Sequence, residues 1–393
     1  MKIFRSKTLF LFIVACASFT LSAVADEGQG WKPHSIRQLD GKGGWIVKSA
    51  QYQILGRELG YGQGRGSLQM DNGEIVLLGT WNPIEGTYGD PPGEQTFIAF
   101  SKDRGQTWTD LEQFVPHSHD RPDGVVYLDK GNLLWLSTPR SYLSSDYGRT
   151  WQQKTTVRTR DPKSAGGSVN GEGNIVMVDR DKNGRATRLA GLGPDFIAWS
   201  LDRAASWQET FLPDRNWQET VDETTYTHGV SEPALVRAKN GWLVAAYRLD
   251  MARVYSSQPS NDSVEGLGVS ISKDDGKTWS PIQTVYQAGR HHANLVVMPT
   301  GEIVMTHTIR VDTEDGKLLS YRRGCGAIVS HDNGLTWDKD HSYILDEYQF
   351  RNPKQWYDGA CGHCSSILLD DGSILTVHNN YLVRGISLIR WRP

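Results

Sequence analysis

Glu232, His292 and His363 each stand nine residues ahead of a turn glycine that opens a short apolar strand, at Gly241, Gly301 and Gly372. Three more such glycines, Gly73, Gly131 and Gly173, carry Gly64, Pro122 and Ser164 at the same offset, with Arg65 and Asp123 one residue later in the first two. A carboxylate and imidazoles are groups that move protons, and a guanidinium is the group that grips an anion. Charged and imidazole groups at the mouths of apolar strands are costly without partners, so the set is expected to converge on one shared pocket. More histidines cluster near the same strand mouths: His291 beside His292, His228 ahead of Glu232, and His117 and His119 before the second strand.

The elements that position these residues are strands. Each turn glycine is flanked by apolar residues, as in Leu235-Val236 before Gly241 and Ile367-Leu368-Leu369 before Gly372, so both arms of a hairpin are visible. A second repeat has the form Ser-x-Asp-x-Gly-x-Thr-Trp and starts at Ser101, Ser144, Ser200, Ser272 and Ser330; the copy at Ser200 has Ala204 for the glycine and Ser206 for the threonine. It reads as a stapled turn, in which the Asp carboxylate accepts bonds from turn amides, the glycine takes a positive φ and the tryptophan buries its ring. The starts are separated by 43, 56, 72 and 58 residues, the range in which four short strands make one propeller blade. Six turn glycines predict six blades, with the missing staple in the last blade, where the chain ends. The 41 glycines and 14 tryptophans, with no long run of apolar residues at helical spacing, fit an all-β chain and exclude a helical solenoid. The expected fold is a six-bladed β-propeller forming a single domain, residues 26–393, with the propeller itself running from about Trp31 to Pro393.

The repeated staple and the six blades resemble the sialidase (neuraminidase) superfamily over nearly all of the chain beyond residue 25. More specific is Ser231-Glu232-Pro233-Ala234-Leu235-Val236, followed by Gly241 and Arg248. That segment is similar to the family's Glu-Pro motif, whose glutamate activates the nucleophile and whose substrate-binding arginine ends the next strand. The resemblance implies that Arg248, Arg322 and Arg65 form a clamp for a sugar carboxylate, a task suited to guanidinium forks. It implies an acid/base aspartate in the loop between the first inner strand and the first staple, where Asp90 stands, with Glu85 as its rival. The chain departs from the family at the nucleophile: Gly362-His363-Cys364 occupies the place of the family's tyrosine. Tyr357, slightly upstream, is the phenol left to serve as nucleophile, and His363 and His292 are expected to complete the reaction centre.

Residues 1–25 carry Lys2, Arg5 and Lys7, then an apolar run, then Ala23-Val24-Ala25, the pattern of a cleavable secretory signal. The protein is therefore expected to be secreted or periplasmic; acylation of Cys16 as a lipoprotein is the competing reading. No later segment approaches membrane-spanning length. A net charge of −3 with no basic cluster offers no footprint for nucleic acid. Cys325, Cys361 and Cys364 remain after export, and a disulfide from Cys325 to one of the other two is expected. Zinc held by these cysteines with His363 or His292 is a competing reading with an incomplete ligand set; no cofactor is expected.

These readings point to an exo-acting glycoside hydrolase that removes a terminal, carboxylated sugar from a glycan, acting as a monomer. Two other functions stay open. The histidines, a tyrosine and an arginine are also the toolkit of a lyase that cleaves beside a uronic acid. A non-catalytic glycan-binding propeller would use the same fold.

Overall fold

The computed structural model describes residues 30–57, 60–82, 95–113, 124–136, 141–164, 176–256, 264–350, 363–380 and 382–393. Asp90, Glu85, Tyr357, Cys361, His117, His119 and the segment 1–25 lie outside the described residues. Apart from short 3-10 turns, the regular structure among the described residues is β.

Four antiparallel meanders each form a sheet of their own. The first comprises Tyr61–Gln69, Ile75–Asn82, Gln95–Ser101 and Glu112–Gln113, and the second Gly124–Asp129, Asn132–Leu136, Ser141–Ser144 and Gln152–Lys154. The third comprises Val176–Arg180, Ala186–Leu192, Phe196–Ser200 and Ser206–Phe211, with Val157–Thr159 added in parallel on its outer edge. The fourth is Val230–Arg237, Leu243–Leu249, Gly266–Ser272 and Gln283–Tyr286.

Two hairpins stand apart, Trp217–Val221 with Thr224–His228 and Asp312–Glu314 with Lys317–Ser320, and the other nine strands join into one sheet. The meander Arg290–Val297, Ile303–Ile309, Arg322–Ser330, Asp338–Gln349 meets Cys364–Leu368, Ile374–His378, Ile386–Trp391 through the N-terminal hairpin of Lys32–Leu39 and Trp45–Leu55. That hairpin pairs on both sides, Arg37 with Ile344 and Tyr52 with Ile389, so the start of the described chain completes the sheet that its end begins. Apart from the two hairpins, four separate sheets and one continuous sheet thus stand where the sequence predicts six separate blades. The leading strands of the meanders pack one against the next, and Cys364–Leu368 returns to Tyr61–Gln69, which makes the arrangement propeller-like.

The five repeats close their turns as expected. In the first, Ser101 Oγ donates to Asp103 Oδ1 at 2.9 Å and accepts from the Gly105 amide at 2.8 Å, while Asp103 accepts from the Thr107 amide and hydroxyl at 2.8 and 2.7 Å. Trp108 Nε1 donates to the Gly105 carbonyl, and its ring is buried. The variant copy keeps this geometry with Ala204 at φ 65°, a conformation that glycine adopts without strain. Between sheets the core is aliphatic and aromatic: Leu77 and Trp81 of the first sheet pack with Leu375, Val377 and Ile386 of the last. A methyl group on Gly64 would collide with Val377, so only glycine lets the first leading strand press this closely against the last sheet.

Candidate active site

Three leading strands carry a register irregularity at the same level. It lies between Gly64 and Gly66 in the first, between Ser231 and Ala234 in the fourth, and between His291 and Asn294 at the start of the nine-stranded sheet. The residues displaced are Arg65, Glu232 and His292. A bulge breaks the alternation of side chains along a strand and re-aims one of them. Pro233, which has no amide hydrogen to give to a ladder, fits such a break. Glu232 and His292 both adopt left-handed backbone, with φ of 46° and 54°, a conformation that costs a residue other than glycine about 1–3 kcal/mol and gathers at functional sites.

The re-aimed side chains meet. Glu232 Oε1 lies 2.6 Å from Arg248 Nη1, and Glu232 Oε2 lies 3.0 Å from His292 Nδ1. Arg248 is the ladder partner of Ser231; its Nε donates to Ser231 Oγ at 2.9 Å and lies 3.2 Å from Glu265 Oε2. The His292 ring stands 4.3 Å from that of His291 and 4.9 Å from that of His363, centroid to centroid. His363 Nε2 is hydrogen-bonded to Arg65 Nη1, and Arg65 Nε reaches Thr80 Oγ1 at 3.4 Å. A guanidinium only donates, so His363 Nε2 is the acceptor and the ring proton sits on Nδ1. Arg65, Glu265, His291, His292 and His363 are all buried.

The structure therefore brings together Glu232, Arg248, His292, His363 and Arg65 as one continuous chain of polar and ring contacts drawn from three sheets. It does not bring Arg322 into that chain. Arg322 grips Asp312 with Nε at 2.8 Å and Nη2 at 2.5 Å, and its Nη1 lies 3.3 Å from Glu347 Oε2. Burial opposes the charge on Asp312, but Arg322, Ser320 and Arg290 outweigh it and hold the carboxyl well below the usual range. Of the three arginines expected to form a clamp, Arg322 is thus the one placed against a carboxylate of its own chain outside this chain of contacts. Ser164 instead donates to Glu209, and His228 stacks on Trp217 and contacts Glu219. Asp90 and Tyr357 lie outside the described residues.

Sequence reasoning missed Glu265 and the part played by His291. The adjacency of His291 to His292 was visible, but neighbours on a strand point to opposite faces unless a bulge intervenes. Glu265 has no motif of its own. Only the pairing of Leu267 with Arg248 reveals its place.

Chemically, the chain of contacts holds an oriented carboxylate, an imidazole against it, a second imidazole in ring contact with the first, and a guanidinium at the far end. Such a set can shift protons and hold an anion.

A family profile described as BNR repeat-like domain matches residues 134–356. No curated protein sequence matches the chain. Among solved structures, a protein of unknown function from Dyadobacter fermentans superposes with a TM-score of 0.59 at 17% identity, covering 87% of this chain and 98% of its own. NanB sialidase from Streptococcus pneumoniae gives a TM-score of 0.50 at 9% identity, over 86% of this chain and 69% of its own. An α-L-arabinofuranosidase from Fusarium graminearum, in complex with an iminosugar inhibitor, gives 0.50 at 14% identity, over 93% and 98%. At these identities the likeness is one of fold.

Proposed function

The chain belongs to the BNR repeat-like domain family, and on that premise we propose that it is an exported, monomeric glycoside hydrolase built as a six-bladed, sialidase-like propeller. In this reading the nine-stranded sheet counts as two blades clasped by the N-terminal hairpin. The substrate is a glycan with a terminal carboxylated sugar, sialic acid or a similar acid. One observation carries the proposal: Glu232 is held on a strained bulge between Arg248 and His292, with the His363–Arg65 pair at the other end of the same polar chain. Glu232 serves as base or activator, and Arg248, which already bridges Glu232 and Glu265, fixes its orientation. Arg65 takes the substrate carboxylate. Asp90 is the acid/base candidate and Tyr357 the phenol candidate that the family resemblance adds.

The test is a screen of the purified protein against terminal sialosides, uronides and rhamnosyl-uronides, followed by Glu232→Gln on whichever is cleaved. Release of a reducing sugar that collapses in the variant supports the proposal; binding of such glycans without turnover rejects it in favour of a binding propeller.

The ring contact between His292 and His363 favours a second reading, elimination beside a uronic acid, in which an imidazole takes the proton next to the carboxylate. Elimination leaves an unsaturated uronate that absorbs in the ultraviolet. Hydrolysis leaves none, so the product spectrum separates the two.

A further inference from the structure

We infer that Glu232, His291 and His292 form a binding site for a divalent transition-metal ion, zinc being the best match. One ligand atom from each of the three lies within 4.8 Å of the others. A carboxylate oxygen with two imidazole nitrogens is the donor set of a three-ligand zinc site that keeps a further position open.

The backbone is what makes the cluster. Consecutive residues of a strand project to opposite faces, which would part His291 from His292. The irregularity between His291 and Asn294, with His292 at φ 54°, cancels that alternation and sets the two rings 4.3 Å apart. The matching irregularity on the neighbouring leading strand, with Glu232 at φ 46°, delivers the carboxylate to the same place. Two departures from strand geometry, each unfavourable alone, yield one three-donor cluster. His291 is wholly buried and His292 nearly so, which keeps both rings in the interior beside Glu232.

The second oxygen of Glu232 is already engaged. Arg248 holds Oε1 at 2.6 Å, which leaves Oε2, the oxygen beside His292, to face the metal. Such an outer contact orients a ligating carboxylate. The ring of His363, bonded to Arg65, stands 4.9 Å from that of His292, so the cluster borders the rest of the polar chain. The site uses the geometry of the proposed reaction centre but does not depend on its being a hydrolase.

The experiment is a metal titration of the full protein after chelator treatment, using Zn²⁺ by calorimetry and Co²⁺ by visible absorption. The expected result is saturable binding of one equivalent, a Co²⁺ spectrum of low coordination number, and a melting temperature raised by Zn²⁺. His291→Gln should weaken Zn²⁺ at least about 10–100-fold, the range seen when a metal site loses a supporting group, and abolish the thermal shift. Should that variant fail to fold, His292→Gln gives the same readout. Absence of saturable binding in the parent protein overturns the inference. So does undiminished binding in a folded variant, which would place the metal on surface histidines such as His331 and His341. Neither readout uses glycan turnover, so a failed activity screen leaves this test intact.

Discussion

Glu232 and His292 occupy equivalent positions on neighbouring leading strands, share left-handed backbone, and touch through Oε2 and Nδ1 at 3.0 Å. The contact is made by strain that the surrounding sheets over-determine, so its chemistry is separable from its structure. Glu232→Gln keeps the shape and the bulge while removing the charge. Turnover on the cleaved glycan should fall by about 10²–10⁴-fold, with the melting temperature within about 3 °C of the parent. Unchanged turnover, or a variant that simply unfolds, denies Glu232 its chemical role.

Arg65 differs from Arg248 in its company. Arg248 bridges two carboxylates of its own chain, whereas Arg65 donates to His363 Nε2 and reaches Thr80 Oγ1. A substrate carboxylate is a stronger acceptor than either. Arg65→Lys gives up the planar fork, so KM for a carboxylated substrate should rise about 10-fold or more, while KM for a neutral analogue with the carboxyl esterified changes little. An equal rise for both substrates would mean that Arg65 only supports the strand.

The nine-residue offset found Glu232, His292 and His363 because a repeated meander fixes how far each strand mouth lies from its turn glycine. It could not show that Glu232 and His292 have positive φ, since neither is a residue that advertises that conformation. Glu265 was hidden by the connection that follows Leu249, whose end returns to Arg248 only once the strand Gly266–Ser272 has paired. Arg322 entered the expected clamp through the family resemblance, which says nothing of Asp312, delivered to it by the hairpin of Asp312–Glu314 and Lys317–Ser320. The N-terminal hairpin carries no repeat of either kind, so its double pairing left no periodic mark and the clasp between the last two meanders was not legible.

Acid should unfold this protein in two stages. Burial and the nearby positive charge of Arg290 lower His307 from 6.5 to about 3. The unfolded chain therefore takes this proton first, and the corresponding stability is complete above pH 6.5 and drains as pH falls toward 3. The turn carboxylates follow. Bonds from the Thr278 hydroxyl and amide lower Asp274 from 3.8 to about 2, and Asp103, Asp146, Asp202 and Asp332 are lowered by the same kind of bonds, which at Asp103, Asp146 and Asp332 outweigh burial. Their stability is complete above pH 3.8 and is lost as pH falls through the folded values. Melting temperatures measured from pH 7.5 to 2.5 should show both losses, and His307→Gln should flatten the curve between pH 6.5 and 4.5 while leaving the lower one. A variant curve parallel to the parent's across that window refutes the assignment to His307.

Cys325 and Cys364 are both buried, and their Sγ atoms stand 2.7 Å apart. Of the two partners open to Cys325 in the sequence, Cys364 is the one placed against it; Cys361 lies outside the described residues. If the chain is exported, as proposed, oxidising conditions would bond this pair, with loss of two hydrogens from the mass. The bond would close a span of 39 residues and should add about 3–4 kcal/mol through the unfolded chain. Because Cys364 directly follows His363, the bond would also steady the ring that contacts Arg65 and His292. Peptide mapping under non-reducing conditions should recover the Cys325–Cys364 cross-link, and a reductant should lower the melting temperature of the parent but not of Cys325→Ala. Recovery of both thiols in alkylatable form from protein exported under oxidising conditions would show that the pair remains reduced.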